Sequence, residues 1–100
     1  MWPDFYTAVE IISAYKEKYL SLPPFEVEEE EHKRCSDARW ALDDLTLYLS
    51  ENWYEDYPQE LIADYIDDSR YRAKKYRTSP MGPVYRTAQE TAEDVIKLFI

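Results

Sequence analysis

Glu29, His32 and Cys35 stand three residues apart, so a helix would place a carboxylate, an imidazole and a thiol on one face within about a turn and a half. Such groups could ligate a metal or build a nucleophile. A di-iron bundle, however, uses two Glu-x-x-His motifs and two further glutamates, and this chain has a single histidine. A zinc site needs about four ligands, mostly N or S, and finds only His32 and Cys35. As a thiol–imidazole dyad the pair lacks a third group to orient it. With one glycine there is no Gly-rich phosphate loop, and neither a Gly-x-Ser-x-Gly elbow nor a His-Glu-x-x-His pair is present. The expectation is a non-enzymatic chain with no catalytic residue, no metal and no cofactor.

Carboxylates are the recurring polar group. Glu26 is followed by Glu28, Glu29, Glu30 and Glu31, and further acids recur at Asp43, Asp44 and Glu51. Glu55, Asp56, Glu60, Asp64, Asp67 and Asp68 continue the series. Held a few ångströms apart on rigid helices, they can imitate a nucleic-acid backbone, which carries one negative charge per about 1.7 Å of duplex axis. The plainer reading is a solvated face, with the glutamate run assisting a helix N-terminus through its dipole.

Tyrosine is the second signal. A domain this small cannot bury ten tyrosines together with Trp2, Trp40 and Trp53. Spare rings suit an interface, where Tyr and Trp offer large contact area at little entropy loss. Trp53, Tyr54, Glu55, Asp56 and Tyr57 mix such rings with acids at a helix junction and form the expected contact patch. The alternative is that these aromatics plug the end of the bundle.

A third cluster has the opposite sign. Arg70, Arg72, Lys74, Lys75 and Arg77 alternate with Tyr71 and Tyr76, with Arg70, Lys74 and Arg77 on one helical face. Phosphate neutralisation plus base stacking would use this combination. Cations near a helix C-terminus can equally satisfy the dipole and pair with the chain's own acids. The overall balance favours the second reading, since 21 acids against 12 bases give a net charge of −9 and a pI near 4.5. Nucleic acid and anionic lipid both select basic surfaces. The charge is nevertheless segregated: residues 1–69 carry −13, residues 70–86 carry +6 and residues 87–100 carry −2.

The elements that must hold these groups are helices. The six prolines fall at Pro3, Pro23-Pro24, Pro58, and Pro80 with Pro83, and read as punctuation between helical segments. Phe5, Ala8, Val9, Ile12, Tyr15 and Tyr19 form a stripe spaced by threes and fours. Cys35, Ala38, Leu42, Leu45 and Leu49 form a second, Leu61, Ile62, Tyr65, Ile66 and Ala73 a third, and Val95, Ile96 and Phe99 a fourth. Helices are expected at about 3–20, 25–52, 57–77 and 83–99, the second either continuous or divided near 36, where Ser36-Asp37 offers a cap. Asp56-Tyr57-Pro58-Gln59 reads as the start of the third, Ser79 to Pro83 as a connector, and Thr87-Ala88-Gln89-Glu90 as a capping box for the fourth. No strand-like alternation or hairpin turn is visible.

One single domain over residues 1–100 is therefore expected, an all-α compact bundle of three to four helices. The single Cys35 forbids an internal disulfide and points to a reducing compartment. Met1-Trp2-Pro3-Asp4 does not read as a signal peptide, so a cytoplasmic location is expected. In size and charge the chain resembles small acidic helical inhibitors, among them bacteriocin and toxin immunity proteins and phage-encoded anti-CRISPR proteins. That resemblance implies a stoichiometric inhibitor that occupies the basic nucleic-acid-binding site of a protein partner, such as a nuclease. The expected partner-binding residues are Glu28 to Glu31, Trp53 to Tyr57, Glu60, Asp64, Asp67 and Asp68. The alternatives are a structural or assembly adaptor, a homo-oligomeric scaffold, and direct nucleic-acid binding through residues 70–77.

Overall fold

In the computed structural model, which describes residues 4–20, 29–53 and 58–99, Asp4 opens the first helix. Its carboxylate accepts the Thr7 N–H at 2.8 Å, satisfying one of the donors that a helix start leaves free. That bond holds the Asp4 carboxyl below its ordinary pKa. Among the described residues four helices follow in chain order: α1 (Phe5–Tyr19), α2 (Glu29–Asn52), α3 (Pro58–Lys75) and α4 (Met81–Ile96), the last running into a 3-10 turn at Lys97–Phe99. Among the described residues there is no strand, and no helix is long and apolar enough to cross a membrane.

Each helix runs against the direction of the one before it. Lys16 of α1 meets Asp43 of α2 at 3.0 Å, Tyr65 of α3 meets Asp44 of α2, and Arg70 of α3 lies 3.8 Å from Glu93 of α4. Apolar stripes on the four helices converge on one core. Ala8 and Ile12 of α1 join Ala41, Leu42, Leu45 and Leu49 of α2; Ile62, Tyr65 and Ile66 join from α3, and Ala88, Ala92, Val95 and Phe99 from the C-terminal segment. Removing a leucine- or isoleucine-sized side chain from water contributes about 1.5–3 kcal/mol, so these positions dominate stability. The buried positions of α4 include the small groups Gly82, Ala88, Thr91 and Ala92, and those of α3 include Ser69 and Ala73. Small side chains let two helices approach closely, and α3 and α4 share the most extensive contact in the molecule. α1 touches the remainder mainly through α2.

The sequence leaves one boundary open, and the structure differs from it at two others. α2 continues through Ser36 and Asp37 without a break; Asp37 accepts from Lys33 one turn earlier at 3.3 Å instead of capping a new helix. The unbroken burial of Ala38, Ala41, Leu42, Leu45 and Leu49 outweighs the local capping preference. α4 begins at Met81, so the expected connector Met81-Gly82-Pro83 is its first turn and the Thr87–Glu90 pattern lies in its interior. Pro83 is accommodated because N–H groups of a first turn have no partner within the helix. α3 stops at Lys75, and Tyr76 and Arg77 belong to a turn closed by the Ser79 N–H donating to the Tyr76 carbonyl at 2.8 Å. The expected cap at Asp56 lies outside the described residues.

Candidate interaction face between α2 and α3

Besides its buried stripe, α2 carries a second one at Trp40, Asp44, Leu47 and Glu51, spaced by four, three and four. α3 carries its counterpart with the same spacing at Asp64, Asp68, Tyr71 and Lys75. A helix uses this spacing to present one continuous face. Between the two rows lies a groove of about 370 Å³ lined by Asp44, Leu47, Tyr48, Glu51, Tyr65, Asp68 and Arg72.

The rings of the groove are fixed by contacts behind them. The Tyr65 hydroxyl donates to the Asp44 carboxylate at 2.9 Å, and its ring lies 5.8 Å from that of Tyr48. Burial, and then the hydrogen bond to Asp44, push the Tyr65 phenol well above its ordinary pKa; burial and the charges of Asp64 and Asp68 raise Tyr48 as well. The groove is thus a negative site walled by neutral phenols. Because Tyr65 ionises less readily when folded, its contribution is complete below about pH 10, where an unfolded tyrosine holds its proton, and is lost as pH rises beyond that. Tyr65→Phe is expected to cost about 1.5–3 kcal/mol near pH 8, the worth of a hydrogen bond to a charged group, and visibly less near pH 11. Urea denaturation of both proteins at the two pH values checks this, and an equal cost at both would contradict it.

One end of the face has the opposite charge. Arg72 stacks over the Tyr85 ring at 5.6 Å while its Nε lies 3.0 Å from Asp68, and Tyr85 and then Asp68 raise its pKa further. Tyr85 packs on Tyr76 at 5.7 Å and edge-on to Trp40 at 6.5 Å. Lys75 spans the Tyr71 and Tyr76 rings at 6.0 and 5.5 Å. This is an aromatic corner with a cationic rim.

The residues expected from sequence to bind a partner do not form one patch. Asp68 lines the groove together with Asp44 and Glu51 from α2, and Asp64 lies close enough for its charge to act on Tyr48. Asp67 turns to the other side of α3, where Arg70 links it at 3.3 Å towards Glu93 of α4. Glu60 is exposed in the first turn of α3. Glu29, Glu30 and Glu31 occupy the first turn of α2, about 30 Å along that helix from Glu51. There Glu30 faces Arg86 across a shallow pocket. Trp53 is half-buried, edge-on to Phe5 at 5.5 Å and packed against the core, while Glu28 and Tyr54 to Tyr57 lie outside the described residues. Of the basic cluster, Arg70 and Arg72 are engaged by the chain's own carboxylates; among the described residues Lys74, Lys75 and Arg77 form no ion pair.

The Glu29, His32 and Cys35 series does not converge. Glu29 and His32 are exposed, and the Cys35 thiol donates to the Leu20 carbonyl at 2.9 Å. No group of three His, Cys, Asp or Glu able to hold a metal occurs among the described residues. What sequence reasoning missed is the pairing of Asp44, Tyr48 and Glu51 with α3, because helix periodicity shows which residues share a face but not which helix lies next to it. Compared with protein-family models, curated proteins and solved structures, the chain matches none.

Proposed function

We propose that this chain is a cytoplasmic, non-enzymatic interaction protein that docks its acidic α2–α3 face into a basic nucleic-acid-binding site on a protein partner, acting as a stoichiometric inhibitor. The observation that supports it is the double row of carboxylates, Asp44 and Glu51 on α2 and Asp64 and Asp68 on α3, flanking Tyr48 and Tyr65. Asp64 and Asp68 are four residues apart, about 6 Å along the helix. One row is sparse beside a duplex, which carries a charge per about 1.7 Å of axis; a second antiparallel row doubles the density and leaves a groove between the two. The net charge of −9 would speed encounter with a basic partner, and exposed rings such as Trp40 and Tyr71, once covered, would slow departure.

The test is retention of a basic nucleic-acid enzyme from host lysate at about 50 mM salt, with release at about 200 mM and competition by that enzyme's own nucleic acid. The combined Glu51→Lys, Asp64→Lys and Asp68→Lys variant is expected to weaken retention at least about tenfold, whereas Asp67→Lys, on the α4 side, changes it little. Retention unchanged by the triple variant would overturn the reading.

A further inference from the structure

Four large apolar or aromatic side chains stand out from the α2–α3 face: Trp40 is 42% exposed, Leu47 56%, Tyr71 62% and Tyr76 38%. Trp40, Leu47 and Tyr71 belong to stripes whose regular spacing is that of a buried face, and Tyr76 adjoins them in the turn after α3, yet each keeps more than a third of its surface exposed. The charge on this face is ordered along the helices. Glu51 and Asp64 lie at one end; Lys75 and Arg72, with Trp40 and Tyr85, lie at the other. Along α3 the step from Asp64 to Lys75 is about 16 Å.

We infer that the face is self-complementary and that its occupant is a second copy of this chain. A two-fold axis lying in the interface, perpendicular to α2 and α3, would set the acidic end of each copy on the cationic end of the other. Asp64 then faces Lys75 of the second copy, and Glu51 faces Trp40, whose indole N–H can donate to it. Leu47 and Tyr71 fall near the axis. A two-fold axis parallel to the helices would oppose acid to acid instead, so charge selects the antiparallel arrangement. The face, about 16 Å long and about 20 Å across, covers about 320 Å² per copy, below the size of stable interfaces, so the dimer is weak, reversible and concentration-dependent. At about 0.15 M salt, charges more than about 8 Å apart are largely screened. The net −9 of each copy then does not hold them apart, while facing pairs still attract. The inference shares its face with the proposed partner site but requires no partner. It adds that the free protein covers its own carboxylate rows until a more basic surface displaces the second copy.

Sedimentation velocity on the purified chain over a concentration series at about 0.15 M salt tests this without any partner, so its failure leaves the inhibitor reading untouched, and the reverse also holds. Monomer giving way to dimer as concentration rises is expected. Glu51→Lys combined with Asp64→Lys makes both ends of the face cationic, with Asp44 and Asp68 left between them; Lys75→Glu makes it almost wholly anionic. Each variant alone is expected to remain monomeric, and an equimolar mixture of the two to form a heterodimer, which also shows that both variants are folded. Monomer at every concentration of the native chain, undiminished self-association of either variant, or a mixture that stays monomeric would overturn the inference.

Discussion

Leu45→Ala is expected to destabilise the fold by about 3 kcal/mol, within the range of about 2–5 kcal/mol for emptying a core leucine site. Leu45 is 1% exposed and belongs to the cluster that joins all four helices. The lost volume cannot be refilled from one side alone, because Leu42 and Leu49 on the same helix are themselves packed to 1% and 0% exposure. For a domain of this length, that cost corresponds to a fall in melting temperature of about 12–24 °C. Leu47→Ala, two residues away on the exposed stripe, is expected to change stability by less than about 0.5 kcal/mol while weakening self-association. Thermal and urea denaturation followed by circular dichroism separate the two. Equal costs at 45 and 47 would mean that the assignment of the two stripes of α2 is wrong.

Gly82→Ala is expected to be destabilising by about 1–3 kcal/mol, against the usual gain of about 1 kcal/mol when alanine replaces glycine in a helix. A Cβ at this position would lie 2.6 Å from the Tyr76 carbonyl oxygen and 3.1 Å from the Arg77 Cα. Both are backbone atoms of the turn after α3, and the carbonyl is already held by the Ser79 N–H, so neither can rotate away. The start of α4 must retreat, and Tyr85, one turn further on, would move with it away from Arg72, Tyr76 and Trp40. A loss of near-ultraviolet circular dichroism at these rings, together with a lower urea midpoint, is the expected signature. Stability equal to or above that of the native chain would show that α3 and α4 tolerate a wider separation at this corner.

Gly82 also shows where the sequence stopped being legible. The four helices and their core stripes could be read because a 3.6-residue period leaves a direct trace in residues such as Ala38, Leu42, Leu45 and Leu49. The start of α4 could not, because Pro80, Gly82 and Pro83 carry the same local signature in a loop as in a first helical turn. What decides between them is the close approach to Tyr76, six residues earlier in the chain and visible only after folding. Ser36-Asp37 offered a cap, but the packing of the residues beyond it kept α2 whole. The candidate face was legible in part. Asp64 and Asp68 stood out by their charge, whereas their association with Tyr48 and Glu51 depends on α2 lying antiparallel to α3, which neither helix encodes alone. The acids that adjoin in sequence, Asp67 and Asp68, point in different directions because neighbouring helical positions are about 100° apart.

The bond from the Cys35 thiol to the Leu20 carbonyl gives the molecule an internal clock. It ties α2 to the residue that ends α1, the helix with the least contact with the rest of the bundle. A part-buried thiol engaged in this way reacts with an alkylating reagent faster once that contact opens. Elements with few buried contacts open more often than a core does. The labelling rate of this single cysteine therefore rises as the end of α1 departs from α2, at denaturant concentrations too low for global unfolding around Leu45.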